Sequence, residues 1–185
     1  MTNIEIEVRF LEIDKLKLIE KLHSLGAVDK GEDLLEEIIF YKQNGDWSCI
    51  HKHVKIRKTK YRIVLSYKHT REMTATGTEE IEFQFDSMEK GKEFLEKIGL
   101  KAFRYQEKRR HKFILDDVII DIDTWPKIPT YVELEGPSEE ALMATAEKLE
   151  LVWSDSQTTT PASIIEDKYH IKVRELKYFT FDRIE

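Results

Sequence analysis

Cysteine is almost absent from this chain of 185 residues, which contains Cys49 and no other. A lone cysteine excludes an intramolecular disulfide and is typical of proteins in a reducing compartment. Glycine and proline are also scarce, with 7 and 4 residues, so those that occur mark turns with some reliability. We therefore expect a cytoplasmic protein without disulfide support.

The sequence also lacks the signals of several ligand classes. It has no apolar run of about 20 residues, the length that spans a bilayer, and no apolar N-terminal segment behind a basic one. It has no P-loop or G-x-G-x-x-G motif for a phosphate. Its 36 acidic and 30 basic residues give a net charge of -6, which does not suit a surface that grips nucleic acid. We expect no membrane or nucleic-acid partner, and a single domain over residues 1–185 as a monomer or homodimer.

Hydrophobic periodicity predicts eight strands and three helices. The strands are residues 4–11, 34–42, 54–58, 62–70, 79–85, 104–115, 118–124 and 130–136. The first helix follows Asp14 as its N-cap and stops at Gly26. The second follows Asp86, which has capping-box spacing to Glu89, and the third follows Pro137.

Charged and apolar residues alternate along the strands. In EIEVRF (5–10), EIEFQF (80–85) and VELEG (132–136), the glutamates fall on one face and the apolar residues on the other. The amphipathic helices need an apolar surface to cover, so the charged faces must turn toward each other or toward water. A sheet curled into a barrel satisfies both demands. We predict an α+β fold, an eight-stranded antiparallel β-barrel that forms a tunnel, with helices packed on the outside.

The charged faces would bring acids and bases into the lumen from separate strands. The acids are Glu5, Glu7, Glu80, Glu82, Asp121, Asp123, Glu133 and Glu135, and the bases are Arg9, Lys55, Arg57, Arg62, Lys68, Lys108, Arg110 and Lys112. Clustered carboxylates without histidine or cysteine suit Mg²⁺ or Mn²⁺, and guanidinium and ammonium groups complement polyphosphate oxygens. The alternative is an ordinary sheet with cross-strand ion pairs, but exposed faces seldom sort acids and bases onto separate strands.

The order of the motifs resembles the CYTH superfamily, the triphosphate tunnel metalloenzymes, which include class IV adenylate cyclases and thiamine and inorganic triphosphatases. The motifs are EIEVR, VKIRK, LSYKH, EEIEF, EKRRHKF, DIDTW and YVELEG, in that order over nearly the whole chain. The resemblance implies an eight-stranded barrel with a central tunnel. It also implies divalent cations at Glu5, Glu7, Asp123, Glu133 and Glu135, with Asp121 as a further ligand. The implied triphosphate ligands are Arg9, Lys55, Arg57, Lys68, Lys108 and Arg110, to which the lumen pattern adds Arg62, Glu80 and Glu82.

One residue departs from the family signature E-x-E-x-K, because Arg9 occupies the lysine position. Arginine keeps the charge and the phosphate contact but stays protonated, so a role that needs a titrating lysine is not available to it. We expect Glu5, Glu7 and Arg9 to take part in catalysis.

The implied reaction is metal-assisted phosphoryl transfer on a small triphosphate. If water attacks, the protein is a triphosphate hydrolase; if the ribose 3'-hydroxyl of ATP attacks, it is an adenylate cyclase; a catalytically silent triphosphate-binding module is the third possibility. Hydrolysis is favoured, since cyclisation also needs an adenine pocket, which the sequence does not reveal.

Two further segments carry weaker signals. Cys49, His51 and His53 share one strand face, but without a fourth ligand at a recognisable spacing an ordinary surface strand is favoured over a zinc site. The end of the chain, with Tyr169 and Tyr178, is expected either to close one mouth of the tunnel or to dock as an ordinary tail.

Overall fold

The structure of the protein is a computed structural model, which describes the backbone of residues 3–42, 52–70, 74 and 78–185 and the side chains of residues 6–42, 52–70, 74 and 79–185. The strands in these ranges are β1 (Asn3–Glu5), β2 (Glu7–Phe10), β3 (Val28–Lys42), β4 (Lys52–Lys58), β5 (Ile63–Thr70), β6 (Thr78–Phe85), β7 (Leu100–Leu115), β8 (Val118–Thr124), β9 (Tyr131–Glu135) and β10 (Tyr178–Phe179). The helices are α1 (Lys15–Ser24), α2 (Met88–Lys97), α3 (Glu139–Lys148) and α4 (Pro161–Asp167), with single 3-10 turns at Trp153–Asp155 and Val173–Glu175.

The main sheet closes on itself. Its hydrogen-bonded order is β1-β6-β5-β4-β3-β7-β8-β9-β2, with every neighbouring pair antiparallel. The first and last members of this order are two halves of one strand, separated at Ile6. Glu5 lies opposite Thr78 of β6, whereas Glu7 lies opposite Glu135 of β9. The N-terminal strand therefore joins both edges, and the predicted eight-stranded antiparallel barrel is confirmed.

Helices cover the outer, apolar side of the barrel at two places. α1 and α3 pack over β2, β8 and β9, where the buried residues include Val8, Phe10, Leu22, Ile120, Ile122, Val132, Leu134 and Leu142. α2 packs over β3 and β4 through Ile38, Phe40, Val54, Ile56 and Leu95. The apolar faces thus point outward beneath helices, as predicted, which leaves the charged faces for the interior. No helix in the described ranges is long and apolar enough to cross a membrane.

The outer face of β6 departs from this expectation. Ile81 and Phe83 are 45% and 55% exposed, although their alternation with glutamates predicted that helices would cover them. α2 begins directly after β6 and crosses β4 to reach the start of β7. Within the described residues it therefore covers Phe85 and leaves Ile81 and Phe83 exposed.

β3 and β7 extend further than their sequence patterns indicated. They pair from Val28 opposite Ile114 to Lys42 opposite Leu100. The start of β3 was not predicted because Gly31 interrupts the strand pattern. Gly31 has a φ of 85° and lies at a register shift that follows Asp29. Glycine tolerates this left-handed conformation, and bulges of this kind are common in long antiparallel pairs.

The cap of α2 also differs from the sequence expectation. The N-cap is Ser87, whose side chain accepts a hydrogen bond from the Lys90 amide, rather than Asp86. We expect Ser87→Ala to lower the free energy of unfolding by about 1 kcal/mol, because an amide of the first turn loses its acceptor. Urea denaturation, monitored by circular dichroism, measures the change. Asp86→Ala is the matched control and should change stability by only a few tenths of a kcal/mol; a reversed order would assign the cap to Asp86.

Candidate active site

The charged strand faces line an internal cavity of ≈ 400 Å³. Carboxylates from the neighbouring strands β6, β2, β9 and β8 form what we call the acidic wall, which consists of Glu80, Glu82, Glu7, Glu135, Glu133 and Asp121. Cationic side chains from β7, β4, β5 and the turn before β5 form the basic wall, which consists of Lys108, Arg110, Lys112, Lys55, Arg57, Lys68 and Arg62. The side chain of Glu5 lies outside the described part of the chain.

Arg9 lies among the acids rather than in the basic wall. It is 3% exposed, and one terminal nitrogen lies 2.6 Å from Glu7 and 2.7 Å from Glu133. The other terminal nitrogen donates to the carbonyl of Thr159 at 3.1 Å. Burial opposes the charge of Arg9, but the carboxylates of Glu7 and Glu133 outweigh it and raise the pKa. Arg9 therefore stays cationic, neutralises two acids and ties the C-terminal segment to the barrel.

Arg110 bridges three carboxylates across β7, β8 and β9. It donates to Asp123 through Nε and a terminal nitrogen, each at 2.6 Å, to Glu133 at 3.0 Å and to Asp121. Burial alone would raise the pKa of the Glu133 carboxyl. Arg9 and Arg110 outweigh burial and hold this pKa well below its ordinary value. Glu133 is thus ionised, and Arg9 and Arg110 balance its charge.

Asp123 lies deeper than the resemblance implied. It is fully buried, opposite Arg110 in the β7–β8 register, and does not line the cavity. Lys108 also donates to it at 2.7 Å. Burial opposes ionisation, yet Arg110 and Lys108 lower its pKa. In this arrangement Asp123 anchors two bases of the wall behind the cavity surface.

Lys55 and His53 show how strongly the interior perturbs its cations. Burial, followed by repulsion from Arg57, lowers the pKa of Lys55 to about 8. Burial and the nearby Lys55 and Lys68 lower the pKa of His53 to about 3, so its imidazole is neutral. His53 lines the tunnel instead of lying on a surface strand as expected, while Cys49 and His51 lie outside the described residues.

Several other expected residues lie toward the rim. Lys68 lies 3.6 Å from Glu80, with the two side chains 19% and 16% exposed. Arg62 and Glu82 are 3.9 Å apart and 50% and 36% exposed. These pairs are accessible to a ligand, and their contact adds little stability.

The C-terminal segment borders one mouth of the tunnel. Thr158, Thr160, Pro161, Ala162, Ile165, Val173 and Arg174 line the cavity there. Trp125, Tyr131, Ile165, Val173 and Phe179 form a separate apolar core that holds this segment against the barrel. The end of the chain is thus docked on the barrel along β2 and β7, beside one mouth of the tunnel.

Sequence reasoning missed three buried polar residues of the cavity: Glu37, Arg104 and Gln106. Arg104 and Gln106 alternate in phase with Lys108 and Arg110 along β7, so the period of two would have predicted that they face the cavity. Glu37 had no such signal, because it adjoins Glu36 and either one could have faced inward.

The acidic wall fits a hard divalent cation by its donor chemistry. Its lining ligands are carboxylates, and Oδ1 of Asp121 is buried without a hydrogen-bond partner among the described residues. Glu7 and Glu135 lie directly opposite each other, an arrangement that a cation between them stabilises. Within the described ranges, no group of three or more acidic, histidine or cysteine side chains is already arranged to hold a metal ion. Arg9 and Arg110 instead hold Glu133 and Asp121, so metal ligation requires these contacts to loosen.

Comparison with known proteins places this geometry in a family. The model of the CYTH domain matches residues 3–161. A protein of Methanocaldococcus jannaschii, whose name describes it as a candidate adenylate cyclase, is 26% identical over 133 residues, 71% of this chain and 76% of the relative. A candidate adenylate cyclase from Vibrio parahaemolyticus has a TM-score of 0.77 at 13% identity, over 90% of this chain and 99% of that one. A candidate adenylyl cyclase from Hippeastrum, described as having a dominant triphosphatase activity, has a TM-score of 0.62 at 15% identity, over 90% and 96%. The chain belongs to the CYTH domain family, as its seven motifs indicated.

Proposed function

We propose that this protein hydrolyses a small triphosphate in its tunnel with Mg²⁺ or Mn²⁺. The observation that carries the proposal is the acidic and basic walls that share one cavity of ≈ 400 Å³. A metal-bound polyphosphate needs both, since guanidinium and ammonium groups bind its oxygens and carboxylates bind its metal. The triphosphatase activity described for the Hippeastrum relative supports hydrolysis.

The basic wall would bind the triphosphate. Lys55 and Lys108 are buried, and their low solvent exposure strengthens their attraction for phosphate oxygens, while the side chain of Arg57 beside them is 20% exposed. Arg110 also lines the cavity, and a phosphate would compete with three carboxylates for its guanidinium. Lys68 and Arg62 extend the positive surface toward the rim.

The acidic wall would hold the metal through Glu7, Glu133, Glu135 and Asp121, together with Glu5 of the E-x-E motif. A bound Mg²⁺ or Mn²⁺ polarises phosphoryl oxygens and lowers the pKa of water. Water would add to the terminal phosphorus and lose a proton to the solvent, while the bond to the bridging oxygen breaks and that oxygen leaves with the remaining diphosphate. The cations of the basic wall stabilise the charge that develops on the phosphate oxygens. Arg9 contributes a permanent charge and does not transfer a proton.

Adenylate cyclisation is the second candidate, favoured by the names of the Methanocaldococcus and Vibrio relatives. It uses the same walls, but the ribose 3'-hydroxyl attacks the α-phosphorus and pyrophosphate leaves. We favour hydrolysis because it requires only a triphosphate-binding site, whereas cyclisation also requires a site for adenine.

Product analysis separates these reactions. Purified protein is incubated with tripolyphosphate, thiamine triphosphate or ATP in Mg²⁺, Mn²⁺ or EDTA, and the products are resolved by ion-exchange chromatography. We expect metal-dependent release of phosphate from at least one substrate. Cyclic AMP from ATP would favour the cyclase, and binding without turnover of any substrate would leave a binding module.

A further inference from the structure

Glu37 lies in the interior of the tunnel between the two strands that supply its central cations. It is opposite Arg57 in the β3–β4 pairing and opposite Gln106 in the β3–β7 pairing. Its side chain is 2% exposed. A carboxylate is rarely buried to this degree unless it is paired, so its partners indicate its role.

Both carboxylate oxygens of Glu37 have close partners. Oε1 accepts a hydrogen bond from Nε of Arg57 at 2.7 Å and lies 3.4 Å from Nζ of Lys55. Oε2 accepts from Nε2 of Gln106 at 2.6 Å. The bond to Arg57 uses the inner nitrogen of the guanidinium, which leaves the terminal nitrogens for another acceptor. Charge-assisted bonds of this kind fix both the position and the direction of a guanidinium.

A chain of hydrogen bonds fixes Glu37 in turn. Oε1 of Gln106 accepts from Nε of Arg104 at 2.8 Å, so the amide nitrogen of Gln106 must face Glu37. Arg104 also donates to the carbonyl of Val173 at 2.9 Å. Glu37, Gln106, Arg104 and Val173 are all buried. The C-terminal segment is therefore connected to Arg57 and Lys55 through a continuous network.

We propose that Glu37 is a positioning residue that holds Arg57 and Lys55 in the geometry that binds the phosphates. This inference rests on the proposed function, because it assigns to Glu37 the orientation of groups that would touch the triphosphate. Glu37 repels a phosphate by its own charge, so its presence at the centre of the basic wall is unfavourable for binding unless it orders the cations. The two effects predict opposite results when the charge is removed.

The test measures tripolyphosphate binding by isothermal titration calorimetry in EDTA, so that neither metal nor turnover enters. Glu37→Gln keeps the size of the side chain and removes its charge. We expect it to weaken binding at least about tenfold, because Arg57 and Lys55 lose their fixed orientation. Glu36→Gln is the matched control: Glu36 adjoins Glu37 but pairs with Lys58 on the exposed face, and this variant should bind within about twofold of the wild type.

The pH profile provides a readout that loss of packing alone would not change. Lys55 is faced by Glu37 from β3, Arg57 and His53 from its own strand, Lys68 from β5 and Lys108 from β7. Its pKa of about 8 is already lowered by burial and Arg57, and Glu37 opposes that lowering. Removal of Glu37 should move the loss of the Lys55 charge to lower pH. The ratio of the variant and wild-type dissociation constants, which cancels the titration of the ligand, should therefore grow between pH 6 and pH 8.

Glu37→Asp guards against a folding defect, because it keeps the charge and shortens its reach. We expect it to bind with an intermediate loss and the wild-type pH profile, and circular dichroism confirms that each variant is folded. Equal or tighter binding by folded Glu37→Gln would overturn the positioning role. Failure of the wild-type protein to bind tripolyphosphate in EDTA alone would also overturn the positioning role, whereas failure both in EDTA and with Mg²⁺ would overturn the proposed function, so the two failures are distinguishable.

Discussion

Arg110→Gln is expected to lower the free energy of unfolding by about 3–5 kcal/mol at neutral pH. The side chain of Arg110 is 11% exposed and pairs with Asp121, Asp123 and Glu133, all nearly inaccessible. Without the guanidinium these carboxylates repel one another in an interior that cannot hydrate them. Urea denaturation at pH 7 measures the loss.

The matched control is Arg62→Gln. Arg62 belongs to the same wall, but its pair with Glu82 is long and half exposed, so the change should cost less than about 1 kcal/mol. Equal losses in the two variants would show that the Arg110 cluster is hydrated and contributes no more than a surface pair.

The cost of Arg110→Gln should also depend on pH. Burial alone would raise the folded-state pKa of Asp123 and Glu133, but Arg110 and its neighbours outweigh burial and lower both values. This stabilisation is present above the unfolded-state pKa values, near 4, and is lost as the pH falls through the folded-state values. The difference between wild type and variant should therefore keep its full size down to about pH 4 and shrink as the pH falls further. A difference that grows on acidification would contradict this assignment of charge.

Glu7→Gln should lower kcat/KM for the hydrolysed triphosphate by about 10²–10³-fold, the usual scale for loss of a group that stabilises the transition state. Glu7 lines the tunnel opposite Glu135, so an amide there weakens the hold of the acidic wall on the metal. Phosphate release at varied Mg²⁺ measures the effect, and higher Mg²⁺ should recover part of it.

Glu36→Gln serves again as the control, since it makes the same chemical change on the outer face of the barrel. An unchanged kcat/KM in Glu7→Gln, with unchanged Mg²⁺ dependence, would remove Glu7 from the metal site. If the protein binds without turnover, the same substitution should weaken only the metal-dependent part of triphosphate binding.

Much of the barrel could be predicted because strand alternation has a strict period of two. Once EIEVRF is a strand, Glu7 and Arg9 must share a face, and Val8 and Phe10 must share the other. The same rule places Asp121 and Glu133, which the structure brings to one wall. The period does not say which helix covers which face, and for that reason the exposure of Ile81 and Phe83 was not foreseen.

The partners of each charge depend on register, which the sequence does not contain. Arg110 meets Asp123 because β7 and β8 pair at that offset, and a shift of two residues would pair it with Asp121 or with Trp125 at the strand end. The role of Glu37 depends in the same way on two registers at once. The C-terminal segment was not predictable for another reason: its contacts to Arg9 and Arg104 run through backbone carbonyls, which carry no residue-type signal.

The most direct test of the central claim is ³¹P NMR of tripolyphosphate in the presence of the purified protein. With Mg²⁺ added, we expect the tripolyphosphate resonances to be replaced by those of phosphate and pyrophosphate, and chelation of the metal should stop the conversion. Resonances that neither broaden nor convert, with or without metal, would contradict a triphosphate site in this tunnel.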